Sequence, residues 1–213
     1  MLTGNNLMNM LVDELNDMGL PNMAVTLDTL YRSEKFLNMD RLTLISELIE
    51  PEYTDKISKR INNRLRSSRL IGCPQELSKC IDSKYREYLP SGITEVLSTM
   101  DFIVNGLNVC ILGSSDSGKS YLAKSLGIRA CDNYRVEYHH CETFLEEMVA
   151  LKLSDYQKYQ RKTKKQLNLD LLILDDFLLH TITDEREVKV LFEILEKRSE
   201  LSKSTVICSQ REP

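Results

Sequence analysis

Gly113-Ser114-Ser115-Asp116-Ser117-Gly118-Lys119-Ser120 decides the reading of this chain. It satisfies the phosphate-loop pattern G-x-x-x-x-G-K-[ST] at every fixed position. Before it, Asn108-Val109-Cys110-Ile111-Leu112 is a short apolar run suited to a buried parallel strand. After it, Tyr121 to Ala130 predicts a helix with Leu122, Ala123, Leu126 and Ala130 on one face. Gly113 and Gly118 let the backbone turn through positive φ and approach a ligand closely. Successive N–H groups then form an anion nest at the positive end of the helix dipole. Gly113 to Tyr121 is thus the candidate phosphate cradle. Lys119 is predicted to reach the β- and γ-phosphates as a point charge, and the Ser120 hydroxyl to ligate Mg²⁺. The expected ligand is ATP with Mg²⁺.

A second stretch completes the chemistry. Leu171-Leu172-Ile173-Leu174-Asp175-Asp176 is an apolar run closed by paired carboxylates. That pattern fits a buried parallel strand ending at a ligand crevice, the Walker B arrangement. Asp175 is predicted in the Mg²⁺ shell and Asp176 as the general base that polarises the attacking water. Alone this ending is weak, since many strands end in Asp; downstream of a full phosphate loop it is strong. Ser204 to Cys208 predicts a further strand, with Ser209 and Gln210 at its end. Tyr134 to His140 predicts another. Its His139 and His140 are adjacent and face opposite sides, with no third ligand near them in sequence, so a strand end is expected there rather than a metal site. Helices are expected over 142–153, 154–167 and 183–200.

The chain has 213 residues and a net charge of −4, so a generic polyanion binder is excluded and any nucleic-acid surface must be a local basic patch. The six cysteines show no C-x-x-C pair or metal-ligand spacing. Cys110 and Cys208, inside apolar runs, are expected to be buried hydrophobes in a reducing cytoplasm. No run is long enough to span a bilayer.

The N-terminal part reads as all-helical. Leu7, Met8, Leu11, Leu15 and Met18 predict a first amphipathic helix over 5–18. A second is expected over 23–34, capped by Asn22, with Met23, Leu27, Leu30 and Tyr31 on one side. The methionines are expected as core filler. Asp40 is the expected cap of a third helix, which Pro51 should kink or break. Beyond it, 53–70 predicts a basic helix carrying Lys56, Lys59, Arg60, Arg64, Arg66 and Arg69. This is the best candidate for contact with double-stranded DNA, and the alternative is a solvated bundle face. Lys158, Arg161, Lys162, Lys164 and Lys165 form a second basic cluster, more often a solvated face. Breaks at 72–74 and 89–92 flank a short helix, and a helix over 93–102 leads into the first strand. The expected division is a helical DNA- or partner-binding domain over 1–100 and an α/β nucleotide-binding core over 101–213.

With these pieces in place, the chain resembles the IstB/DnaC-like branch of AAA+ ATPases, and most nearly the IstB transposition helpers of insertion sequences. The resemblance rests on Asn108 through Ala123, on Leu171 to Phe177, on Leu191-Phe192 with Arg198, and on Ser204 to Gln210. It implies an ATP-dependent, DNA-binding oligomer of the cytoplasm that remodels target DNA and recruits or regulates a transposase. It also implies Gln210 as a sensor of the γ-phosphate, with Ser209 beside it, and a parallel sheet ordered 5-1-4-3-2. Three departures stand out. Asp116 brings a negative charge into the loop, Pro51 interrupts one long helix of the relatives, and the chain stops before the family's last strand, lid and finger arginine. The expectation is a chain that binds ATP–Mg²⁺ and turns it over slowly. Two alternatives are a helicase loader of the DnaC type and a catalytically weak DNA-binding fragment.

Overall fold

The computed structural model describes residues 4–33, 35–83, 87–177 and 182–210. It divides into two compact units, Met1–Asn62 and Asn63–Pro213. The sequence reading puts the division near 100, but the boundary falls earlier, and described residues between it and 100 pack with the sheet. Leu70, Leu97 and Met100 are buried in the same apolar cluster as Leu122 and Ile173.

The first unit holds α1 (Gly4–Asp17), α2 (Pro21–Arg32) and most of α3 (Arg41–Ser67). Three expectations change here. Pro51 does not end a helix, because α3 runs through it from Arg41 to Ser67. Proline removes one hydrogen bond, which the turns on either side outweigh. Asn22 is not the cap of α2. Leu20 holds that position, and the carboxylate of Glu52 accepts the N–H groups of Asn22 at 2.9 Å and Met23 at 3.4 Å instead. An anion at a helix N-terminus satisfies free donors and complements the dipole. The predicted methionine-rich core is thin: α1 buries no residue, and Met10 and Met18 are exposed. Asp40 does cap α3, accepting the N–H groups of Leu42 and Thr43. Leu42, Ile45, Ile49 and Tyr53 form an exposed apolar stripe along α3. Glu34, the predicted end of the second helix, lies outside the described residues.

The second unit is a parallel sheet between helical layers. Its strands are β1 (Val109–Leu112), β2 (Val136–His140), β3 (Leu171–Asp175) and β4 (Ser204–Ser209), in the order β1-β4-β3-β2. Alternation along the strands sorts the side chains. Val136, Leu171, Ile173, Val206 and Cys208 face α6 (Lys119–Ala130). Leu172 and Leu174 face the layer of α7 (Cys141–Ser154), α8 (Tyr156–Leu167) and α9 (Glu185–Glu200). The predicted helix over 93–102 is two short pieces, α4 (Ile93–Ser98) and α5 (Asp101–Val104), with Met100 in the left-handed region between them. The short helix expected before it is a single 3₁₀ turn, Leu77–Lys79. Cys208 is buried as expected, but Cys110 is exposed. Cys110 sits on the end strand of the sheet and shares its open face with Leu112, which is also exposed. No helix among the described residues is long and apolar enough to cross a membrane.

Arg198 ties the far layer together from inside. It is wholly buried, and its guanidinium donates to the carbonyls of Gln166, Leu169 and Ser204 and to the Thr205 hydroxyl. Burial brings its pKa down to about 10, against the upward pull of the Asp170 charge.

Candidate nucleotide site

Strand register assembles the site. Leu112 pairs with Ser209, Leu174 with Ile207, and His140 with Asp175. The ends of β1, β4, β3 and β2 therefore lie in one row at the carboxyl edge of the sheet, where doubly wound folds hold their ligands. From that edge rise the phosphate loop, the segment at Ser209 and Gln210, the acid pair, and His140.

The loop itself is built for close approach. Gly118 caps α6 at φ 92, a left-handed conformation that glycine adopts without strain, and no side chain among the described residues caps the helix there. The first N–H groups of α6 are thus left without a capping side chain, as an anion site requires. A Cβ on Gly113 would stand 2.8 Å from Ser117 Oγ, which would have to turn away; contrary to expectation Gly113 itself is not at positive φ, so only Gly118 needs that freedom. Lys119 is nearly buried, and its ammonium donates to the Ser114 carbonyl oxygen at 2.6 Å. Asp116 takes the left-handed region at φ 57 and is exposed, so the loop's extra charge is solvated.

Asp175 and Asp176 sit at the end of β3 with different surroundings. Asp175 follows Ile173 by two residues and so turns to the α6 side, fully buried. Its Oδ2 accepts the hydroxyl of Tyr138, and its Oδ1 accepts the Asp176 N–H at 3.0 Å. Burial and the neighbouring Asp175 both push the Tyr138 phenol far upward, which keeps it a donor. Cys208 lies between the two motifs: its thiol is 3.9 Å from the Lys119 carbonyl oxygen, and burial together with Asp175 raises its pKa. The phosphate loop and the acid pair therefore both border Cys208 at the carboxyl edge of the sheet. Asp176 is half exposed and takes φ 54, an uncommon conformation that Asp tolerates.

Two participants escaped the sequence reading. Tyr138 was legible only as a strand residue, though a buried tyrosine hydroxyl demands a partner. His140 was set aside for want of a third ligand; in the structure its Nδ1 stands 3.3 Å from Asp176 Oδ2. The histidine pair does face opposite sides, since His139 is buried against Phe144 in the far layer. Ser209 is buried and its carbonyl accepts the Gly113 N–H at 3.3 Å, while Gln210 is exposed. A separate groove of about 630 Å³ flanks α6 and includes no phosphate-loop residue.

The predicted basic helix fares unevenly. Lys56 stands 3.6 Å from Glu52 and Lys59 2.7 Å from Asp55. Arg64 donates to the carbonyls of Cys131 and Asp132. Arg69 lies beyond the end of α3, 3.5 Å from Glu137. Arg60 and Arg66 are exposed and have no ion pair among the described residues. In the second cluster, Lys158, Lys162 and Lys165 pair with Asp155, Glu147 and Glu137.

Comparison with known families agrees with this geometry. The family described as IstB-like ATP binding protein matches residues 13–212. This chain belongs to that family. It is 30% identical over 199 residues to the insertion sequence ATP-binding protein y4pL of Sinorhizobium fredii, covering 93% of this chain and 79% of that protein. Among solved structures, replication initiator DnaA bound to AMPPCP and single-stranded DNA superposes with a TM-score of 0.54 and 25% identity. That match covers 64% of the IstB-like chain and 41% of DnaA, so the chain spans less than half of its length. The DnaC helicase loader shares the fold, with a TM-score of 0.50 at 20% identity over 68% of this chain and 80% of that one. The second unit is thus an AAA+ phosphate-loop core preceded by a helical region.

Proposed function

We propose that this IstB-like chain binds ATP with Mg²⁺ at the carboxyl edge of its sheet and serves as an ATP-dependent helper in DNA transposition. The observation that carries the reading is the convergence of the glycine cradle and the acid pair on either side of Cys208. The donor set fits the ligand. Backbone N–H groups from Gly113 to Lys119 would cradle the phosphates, with Lys119 moving from the Ser114 carbonyl to the β- and γ-oxygens. Ser120 and Asp175 would hold Mg²⁺, which when bound neutralises charge on the phosphates. Asp176 would take a proton from water, and Gln210 would orient it.

DNA contact falls to the helical region. Because Lys56, Lys59, Arg64 and Arg69 already have partners, Arg60 and Arg66 are the cations we assign most of the phosphate-backbone contact. The exposed stripe of Leu42, Ile45, Ile49 and Tyr53 offers a surface for a further copy or a transposase. The name of y4pL, an insertion sequence protein, favours a transposase over a replicative helicase as partner; co-purification with a helicase would favour the loader reading instead.

The test is nucleotide affinity. Lys119→Ala should weaken ATP binding by roughly tenfold or more, the equivalent of one charge-assisted hydrogen bond. Equal affinities in the two proteins would overturn the assignment. For DNA, Arg60→Glu with Arg66→Glu should weaken binding and flatten its salt dependence more than Lys56→Glu with Lys59→Glu. Equal effects would return the contact to the whole helix.

A further inference from the structure

His140 places a nitrogen beside two carboxylates, and the proposed nucleotide chemistry does not use it. One ligand atom each from His140, Asp175 and Asp176 lies within 4.8 Å of the others. His140 and Asp175 come from two strands locked in register, since they pair across β2 and β3, and Asp176 follows β3 directly. Strand ends hold such a constellation more firmly than a loop does. The imidazole is not spent on capping α7, although His140 occupies that helix's N-cap position. Its Nδ1 instead faces Asp176 Oδ2 at 3.3 Å. Without an ion that contact is a hydrogen bond or ion pair, and a cation that replaces the shared proton finds a lone pair on each atom.

The supporting groups are also in place. Tyr138 holds one oxygen of Asp175 and the Asp176 N–H holds the other, each leaving a lone pair for a ligand bond. Such outer contacts fix a carboxylate's direction toward an ion. His140 and Asp176 are about half exposed, at 56% and 40%, which leaves an entry path and room for water ligands.

We infer that His140, Asp175 and Asp176 form a three-point cation site that takes a first-row transition ion of the Mn²⁺ to Zn²⁺ series in preference to Mg²⁺. The inference rests on the site of the proposed function but requires no nucleotide. Its chemistry is the donor set: imidazole nitrogen suits the transition ions, whereas Mg²⁺ favours oxygen ligands and retains its waters. An ion held there engages Asp176, so it competes with that residue's proposed role as base.

The experiment uses the full chain without nucleotide and Mn²⁺ alone as the probe, because Mn²⁺ reports by its spin and has little affinity for the chain's thiols. Pulsed electron spin resonance of the wild type should show modulation from a directly bound ¹⁴N nucleus. Mg²⁺ should displace the signal only at roughly hundredfold excess. His140→Ala should abolish the nitrogen modulation and lower Mn²⁺ affinity by about tenfold or more, with Mg²⁺ binding little changed. Wild type without ¹⁴N modulation, modulation that survives His140→Ala, or equal displacement by Mg²⁺ each overturns the inference. The wild-type spectrum stands without the variant, so misfolding of His140→Ala cannot mask the answer. ATP binding by a protein without the nitrogen signal would leave the nucleotide reading intact and reject this one alone.

Discussion

Asp175 and Asp176 are adjacent in sequence, yet the first is buried at the end of β3 and the second, just past it at φ 54, is half exposed. That difference predicts different variants. Asp176→Asn should retain ATP binding while turnover falls by about 10² to 10⁴, the usual worth of a positioned base; single-turnover hydrolysis beside equilibrium nucleotide binding separates the two effects. Tyr138→Phe leaves a buried carboxylate oxygen short of a donor and should cost about 1–3 kcal/mol in urea denaturation. Arg198 is the stronger structural case. Arg198→Met strands three carbonyls and a hydroxyl, and a loss of at least about 3 kcal/mol is expected. Arg198 carries part of the family resemblance, and its contacts lie in the far layer. The phosphate loop and acid pair were readable because their spacing is fixed by the ligand they fit. Tyr138 and His140 were not, since their importance arises from register with a strand far along the chain.

At the scale of elements, α3 and α6 carry the informative departures. Proline in a helix interior costs up to about 3 kcal/mol, so Pro51→Ala should raise helicity and stabilise α3 by about 1–3 kcal/mol, measured by circular dichroism on heating. An unchanged melting curve would mean that α3 absorbs the missing hydrogen bond by other means. Local sequence predicts a kink or a break because it carries no record of the turns on both sides. Nor could it show Glu52, thirty positions from Asn22, accepting the N–H groups at the start of α2 in place of an Asn22 cap. In α6, a Cβ on Gly127 would stand 2.6 Å from Leu70 and 2.7 Å from Ile173, both buried. Gly127→Ala should therefore destabilise the second unit by about 1–3 kcal/mol through overpacking, despite alanine's better helix propensity.

Across the whole molecule, a buried charge network sets the response to acid. Glu137 is buried, which alone would raise its pKa, but His139 and Lys165 hold it down at about 2. Burial depresses His139 below its ordinary 6.5. In both cases the unfolded chain binds more protons than the folded one, so stability falls as pH falls. The loss should begin below about 6.5 with His139 and continue between about 4.5 and 2 with Glu137. Urea midpoints across that range check it, and Glu137→Gln should flatten the lower limb. The sheet order β1-β4-β3-β2 is the part of the order implied by the family resemblance that these four strands cover, and β1, β3 and β4 are legible as apolar runs. The division between units was not, because residues 63–100 look helical and polar yet insert Leu70, Leu97 and Met100 into the sheet's core. The pairing of His140 with Asp175 has one last corollary. Sliding β3 a single notch past β2 would trade the sealed acid for the open one and send Ile173 to the opposite layer. An insertion or deletion of one amino acid in either strand is thus a frame error for the chemistry as well as for the core.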